Sequence, residues 1–365
     1  MDSSLTNLVT TGRRGAPAAS LFSRAFGKLA GAVDLTFCLV IASLALPAVL
    51  EESTISNLAY CLVWVFGAMG LSAMWGYGGI LSFGQTAFFG LAGYAYGVFT
   101  INFGEAPLTT WSGVLIALGL SALLAAALGY MIFYGGIRDV FIGIVTLSVT
   151  LVLETFMAQT AGPQWAIGSA RLNGFNGMSA MPALSLPGSG GELLLLEGTP
   201  FYFLVVILLS VVYLAIRLLL RSSFGLTLES IRENPHRAEM LGIDIRRYQL
   251  VIFIVGSTLG GLSGVLYTLW GSYITPSSMG LTAASMPIIW VATGGRKSLP
   301  GVVLATVALT ILSQELAVYG SQYALVLMGA ILLFVVMATP RGLMPTLRDG
   351  LVRLMPSFAT PKNKR

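Results

Sequence analysis

Charge is scarce in this chain of 365 residues: Asp, Glu, Lys and Arg make up 10% of it, against roughly 25% in an average soluble domain. With 56% of residues hydrophobic, that shortage excludes an ordinary soluble domain. Histidine is nearly absent. The one present, His236, cannot build a histidine-based metal site. Cysteine is limited to Cys38 and Cys61, each inside an apolar run, so a disulfide framework is excluded and both read as buried thiols. Long polar tracts are missing, and the 43 glycines come with abundant Leu, Val, Ile and Phe, which excludes disorder and collagen. Paired-carboxylate metal motifs and Ser/His arrangements are missing too. The expectation is therefore no catalytic residue, no metal and no enzyme activity in this chain.

Long apolar runs are what the sequence does have. A helix crosses a bilayer with about 20 apolar residues, and ten candidates of that kind occur. They are residues 32–50, 57–75, 81–101, 111–134, 140–160, 201–220, 250–271, 286–294, 299–319 and 324–339. The predicted fold class is an all-α integral membrane bundle of about ten spans. The eighth run is too short for a regular crossing unless residues back to Gly280 join it. A re-entrant pair there gives eight full crossings with the same orientation.

Orientation follows from the basic residues, which are retained on the cytoplasmic side of the spans they flank. With the N-terminus inside and alternating spans, every Lys and Arg except Arg171 falls inside, from Arg13 through Arg138, Arg217 to Arg247, Arg296 and Lys297 to the tail ending at Arg365. Glu51, Glu52, Glu105, Glu192 and Glu197 fall outside. Both termini are thus expected in the cytoplasm, and the net charge of +5 is an orientation signal that implies no nucleic-acid partner. The expected organisation has three parts. Residues 1–31 form a cytoplasmic segment in which Leu21, Phe22, Ala25, Phe26 and Leu29 share the apolar face of an interfacial helix. Residues 32–340 form the membrane-spanning domain, and 341–365 a basic tail. A cleaved signal peptide competes for the first segment, but no small-residue cleavage site follows the apolar run.

Three segments break the pattern. The first runs from Gly76 through Gly78, Gly79, Ser82, Gly84 and Gln85 to Phe88, Phe89, Gly90 and Gly93. Such glycine density fits a broken helix whose restarting N–H groups meet a solute at membrane depth. It fits close helix packing through small faces equally well. The second runs from Trp290 to Gly301 and includes Gly294, Gly295, Arg296 and Lys297. It lies in the second half much as the first lies in the first half, the hint of an inverted internal repeat. Lys297-Ser298 lacks the glycines of a phosphate loop.

The third segment, residues 221–247, mixes basic and acidic residues. Asn234 before Pro235 marks a helix start and Gly242 a stop, so a short helix is predicted between them. Leu226, Leu228 and Ile231 give the preceding stretch an apolar side. Two short helices projecting into the cytoplasm form a docking surface for a soluble partner. The external stretch 161–199 is rich in Gly and Pro and is expected to be a turn-rich loop. Glu154 and Glu315, inside apolar runs, are costly enough to invite a functional reading. With Asp34, they are what an ion-coupled secondary transporter would use, the alternative to the reading below.

Together these residues resemble the permease subunits of branched-chain amino acid ABC importers, in the LivM branch that includes urea and short-chain amide permeases. Four stretches carry the likeness: Gly76 to Gly93, with its Leu81-Ser82-Phe83-Gly84 core and Gln85 where members often have His; Glu229 to Ile243; Gly260 to Tyr267, followed by Pro276; and Gly294 to Gly301. The resemblance implies an inner-membrane importer built from this chain, a second homologous permease subunit, two cytoplasmic ATPases holding ATP and Mg, and a periplasmic solute-binding protein. This chain itself needs no cofactor. The implied ATPase-docking residues are Glu229, Ile231, Arg232, Glu233, Asn234, Pro235, Arg237, Ala238, Glu239, Leu241 and Gly242. The implied translocation path holds Gly78, Gly79, Ser82, Gly84, Gln85, Phe88, Phe89, Gly294 and Gly295. The solute class stays open among branched-chain amino acids, urea and short amides.

Overall fold

A computed structural model of the chain describes residues 35–187, 193–318 and 320–338, together with Gly342, Leu343 and Thr346. The expected interfacial helix, Asp34 and most of the basic tail lie outside the described residues.

The described chain is mostly helical. Helix α1 (Leu35–Ala42) continues as a 3-10 turn (Ser43–Ala48), and α2 (Glu52–Ser72) continues into a π-turn (Ala73–Tyr77). Next come α3 (Gln85–Phe103), α4 (Pro107–Tyr134), α5 (Val140–Ala158) and α6 (Gly198–Arg221). Two short helices, α7 (Ser223–Glu233) and α8 (Pro235–Met240), precede α9 (Ile245–Gly271). Last are α10 (Leu281–Gly294), α11 (Leu299–Ala317) and α12 (Ser321–Ala338). Among the described residues, six segments are long and apolar enough to cross a membrane: α2 with its π-turn, α4, α5, α6, α9 and α11. Helix α10, with 14 residues, rises only about 21 Å at 1.5 Å per residue, which agrees with its short apolar run.

Helix starts follow the local sequence. Asn234 accepts a hydrogen bond from the Arg237 amide at 2.9 Å, Asp244 accepts from Arg247 at 3.2 Å and Ser298 accepts from Gly301 at 3.2 Å. Each satisfies an N–H that a helix start leaves open. Gly242 follows α8 at φ +79°, a left-handed stop that suits glycine.

Helix α9 is the axis of the bundle and packs against α2, α3 and α4. It presents Gly256, Gly260 and Gly264, four residues apart, and backbones close on that face. A Cβ on Gly70 would lie 2.3 Å from the Gly256 carbonyl oxygen, and one on Gly264 would lie 2.0 Å from that of Phe89. Ser263 donates to the Val63 carbonyl at 2.8 Å across the same seam. Small residues let van der Waals contact hold helices together where lipid supplies no hydrophobic drive.

The stretch expected to be an external loop is more ordered than that over residues 161–187 and 193–199. Strands β1 (Ala166–Ile167) and β2 (Ala170–Arg171) pair, as do β3 (Met178–Ser179) with β6 (Tyr273–Ile274) and β4 (Ser185–Pro187) with β5 (Leu193–Leu195). These short ladders are additions to a chain that is otherwise helical. Asn102 donates to the Ile167 carbonyl and accepts from the Ser169 amide, both at 2.7 Å. Tyr96 donates to the Pro182 carbonyl at 2.8 Å, and Trp111 to that of Ser185 at 3.1 Å. Strands of two or three residues carry too little alternation to be read from sequence. One correction concerns the thiols. Cys61 is buried, its thiol 3.5 Å from the Gln314 amide oxygen, whereas Cys38 lies on the exposed side of α1.

Candidate functional site

The first glycine segment leaves the helical path. After the π-turn, residues 79–84 form no regular helix before α3 restarts at Gln85. Gly79 takes φ +71°, a left-handed conformation that disfavours other residues. Irregular backbone inside a membrane bundle needs protein partners, and α5 supplies them. The Phe83 amide donates to the Thr146 hydroxyl oxygen at 3.1 Å, and the Thr150 hydroxyl donates to the Phe83 carbonyl at 3.3 Å. Ser82 accepts from the Gly84 amide at 3.1 Å. The same segment also packs tightly, for a Cβ on Gly90 would lie 2.1 Å from the Met279 sulfur. A break in the helix and close packing thus occur in successive parts of the same segment.

Gln85 opens α3 at 3% exposure, its carboxamide against the backbone of Gly260. Neither the oxygen nor the nitrogen of that amide has a protein partner, and the hydroxyls of Ser121 and Ser257 are in the same condition. Ser121 lies against Gly261, so these polar groups gather along the small-residue face of α9. Buried polar groups without partners are exceptional and ask for a reason.

Phe88 and Phe89 point to different neighbourhoods. Phe88 meets Phe253 edge-on at 5.9 Å. Phe89 stacks on Trp64 with ring centroids 4.8 Å apart. Trp64 then joins Tyr267 at 5.5 Å and Trp290 at 5.7 Å, and Tyr60 meets Trp270 at 4.8 Å. Of this aromatic wall, contributed by α2, α3, α9 and α10, the sequence reading names Phe89, Tyr267 and Trp290 but not Tyr60, Trp64 or Trp270. Tyr60 with Trp64, and Tyr267 with Trp270, do stand four and three residues apart, the spacing of one helical face.

The second glycine segment turns sharply. Gly295 takes φ +102°, and a Cβ on Gly294 would lie 2.4 Å from the Gly301 carbonyl oxygen. The two interruptions meet each other. A Cβ on Gly76 would lie 2.0 Å from the Arg296 carbonyl oxygen. Ser72 donates to that same carbonyl at 3.0 Å, and Tyr77 donates to the Lys297 carbonyl at 3.3 Å. The Arg296 guanidinium stands 5.2 Å over the Trp75 ring.

The third segment joins them. Leu228 and Ile231 of α7 are buried, while Leu226 is exposed. Arg232 donates to the Gly76 carbonyl, its alkyl stem lies over Gly79, and Glu229 pairs with Lys297. These two charged side chains therefore face the chain's own interruptions. Ala238 is buried; Glu233, Pro235, Arg237 and Glu239 are exposed or partly so. At the tip, Met240 and Leu241 are 85% and 75% exposed. A cavity of about 590 Å³ separates α8 from the α4–α5 connection, with Arg138, Asp139, His236, Glu239 and Arg246 among its lining.

Charge is sorted along the bundle. Arg138, Arg232, Arg246, Arg296 and Lys297 share the end where α7, α8 and the two interruptions meet. The other end carries the β-ladders, where the Glu105 carbonyl accepts from Ser185 at 2.7 Å and Glu52 lies against Gly198. Glu154, beside Gly280, is half-buried near the end of α5, and Glu315 is exposed near the end of α11.

Comparison with known proteins bears on residues 53–336, which match the family model described as "Branched-chain amino acid transport system / permease component". Over 338 residues the chain is 25% identical to the high-affinity branched-chain amino acid transport system permease protein LivM of Escherichia coli (strain K12), covering 86% of this chain and 75% of that protein. It is 24% identical over 294 residues to the probable branched-chain amino acid transport permease protein LivM of Methanocaldococcus jannaschii, covering 73% and 81%. The nucleoside ABC transporter permease protein NupC of Lactococcus lactis is 26% identical over 195 residues, covering 52% and 59%. No solved structure gives a significant match.

Proposed function

We propose, from the premise that this chain belongs to the family of branched-chain amino acid transport permease components, that it carries a small polar solute across the membrane on energy supplied by separate ATPase subunits. It is a multi-pass inner-membrane permease of the ABC transporter type. The finer reading has ten spans with both termini cytoplasmic and the basic end of the bundle facing the ATPases. It also has a second permease subunit, and a periplasmic solute-binding protein meeting the ordered external segment around β1 to β6.

The observation that carries the docking part is the tip of α8. Met240 and Leu241 project from a charged, polar segment, and apolar side chains held out in this way suit a partner's groove. For the solute, a branched-chain amino acid fits the region around Gln85 best. The unpartnered amide and hydroxyls suit its polar head, and the aromatic wall suits its apolar side chain. Urea and short amides need no such wall.

Reconstitution tests both parts. With ATPases and binding protein present, leucine uptake into proteoliposomes should require ATP. Uptake by this chain alone under an ion gradient would overturn the reading in favour of a secondary transporter using Glu154 or Glu315. In competition, valine and isoleucine should displace leucine from the binding protein and urea should not.

A further inference from the structure

The geometry points to a two-point clamp by which α7 holds the two glycine interruptions together, with Arg232 and the Glu229–Lys297 pair as positioning residues for coupling. It deepens the docking reading above and rests on it.

The first point is Arg232. A charged donor to a backbone carbonyl is one of the stronger hydrogen bonds, and the Gly76 carbonyl it meets lies in a π-turn. There the regular helical hydrogen-bond pattern is disturbed, and such turns often mark functional sites. The Arg232 stem also covers Gly79, where the chain departs from the helical path. The second point is Glu229, one turn earlier on α7, whose pair with Lys297 reaches the turn between α10 and α11. The Ser72 and Tyr77 bonds to the carbonyls of Arg296 and Lys297 close the circuit between those two turns. A rigid-body shift of α7 thus pulls on α2 and on the α10–α11 connection at once. Glu229 and Lys297 are both partly exposed, so their pair adds little to stability. Its consequence is geometric: it fixes which part of the membrane domain follows α7.

The test uses the full complex in proteoliposomes and reads the stimulation of ATP hydrolysis by loaded binding protein, beside ATPase co-purification. Glu229→Gln and Lys297→Gln should each lower stimulation roughly three- to fivefold, and Arg232→Met roughly tenfold, with the ATPases still bound. The exchange Glu229→Lys with Lys297→Glu should restore stimulation to within about twofold of the parent. An exchange that stays at the single-variant level, or single variants that shed the ATPases, overturns the clamp. Met240→Glu with Leu241→Glu separates the two readings. If that variant keeps its ATPases, the docking reading fails and the clamp's role with it. If it loses them while the Glu229 and Arg232 variants keep normal stimulation, the clamp alone fails.

Discussion

The stretch from Gly76 to Gly84 and the middle of α9 from Gly256 to Gly264 are both rich in glycine and serine, yet one breaks the helix and the other is part of an unbroken 27-residue helix. Spacing separates them. In α9, Gly256, Gly260 and Gly264 repeat every fourth residue and fall on one face, where α2 and α3 pack backbone to backbone. In the first stretch, Gly78 and Gly79 are adjacent and Gly79 is left-handed, so no face is built and the ladder ends. Glycine content therefore does not say whether a membrane segment kinks. Its period, and the presence of a side chain able to take over the released backbone groups, do.

Gly264→Val should test the packing side of this contrast most severely. A side chain aimed at the Phe89 carbonyl should cost about 3 kcal/mol or more, read as a lower unfolding midpoint in detergent; an unchanged midpoint would break the packing account of α9. Next in size, Thr146→Val with Thr150→Val strands the Phe83 amide and carbonyl and should cost about 2 kcal/mol. No loss there would mean that the irregular segment does not depend on α5. Gly79→Ala should cost about 1 kcal/mol for its left-handed backbone. Gly84→Ala escapes that backbone penalty, because its φ of −82° suits any residue, and its cost should come from the Ser82 hydroxyl and Thr146 Cβ, each 3.2 Å from the added methyl. Valine at Gly79 should also abolish uptake by displacing Arg232. Smallest of all, Glu154→Gln and Glu315→Gln should leave ATP-driven uptake within about twofold of the parent, since both lie near helix ends. A large loss would favour ion coupling.

Much of the bundle was legible because lipid imposes simple rules. Apolar runs near twenty residues marked α2, α4, α5, α6, α9 and α11, and the short eighth run is the short helix α10. Asn234, Pro235 and Gly242 bounded α8 through backbone chemistry that acts within a few residues. The β-ladders were hidden because their strands of two or three residues show no alternation, and one of them joins residues as distant as Met178 and Ile274. The apolar side assigned to α7 was right for Leu228 and Ile231 and wrong for Leu226, which points outward. Nor did the sequence show that Glu229 and Arg232 turn inward while Met240 and Leu241 turn out, because neighbours in a motif share a helix without sharing a face.

What the sequence alone determined is the membrane class, the gathering of basic residues and the three segments where regular helix gives way, since composition, hydropathy and turn chemistry are local quantities. Tertiary structure decided that these three segments touch. Gly76, Arg232, Arg296 and Lys297 are separated by as many as 221 positions, and only the packing of α7 and of the α10–α11 turn against the end of α2 brings the side chains of Ser72, Tyr77 and Arg232 within hydrogen-bonding reach of those carbonyls.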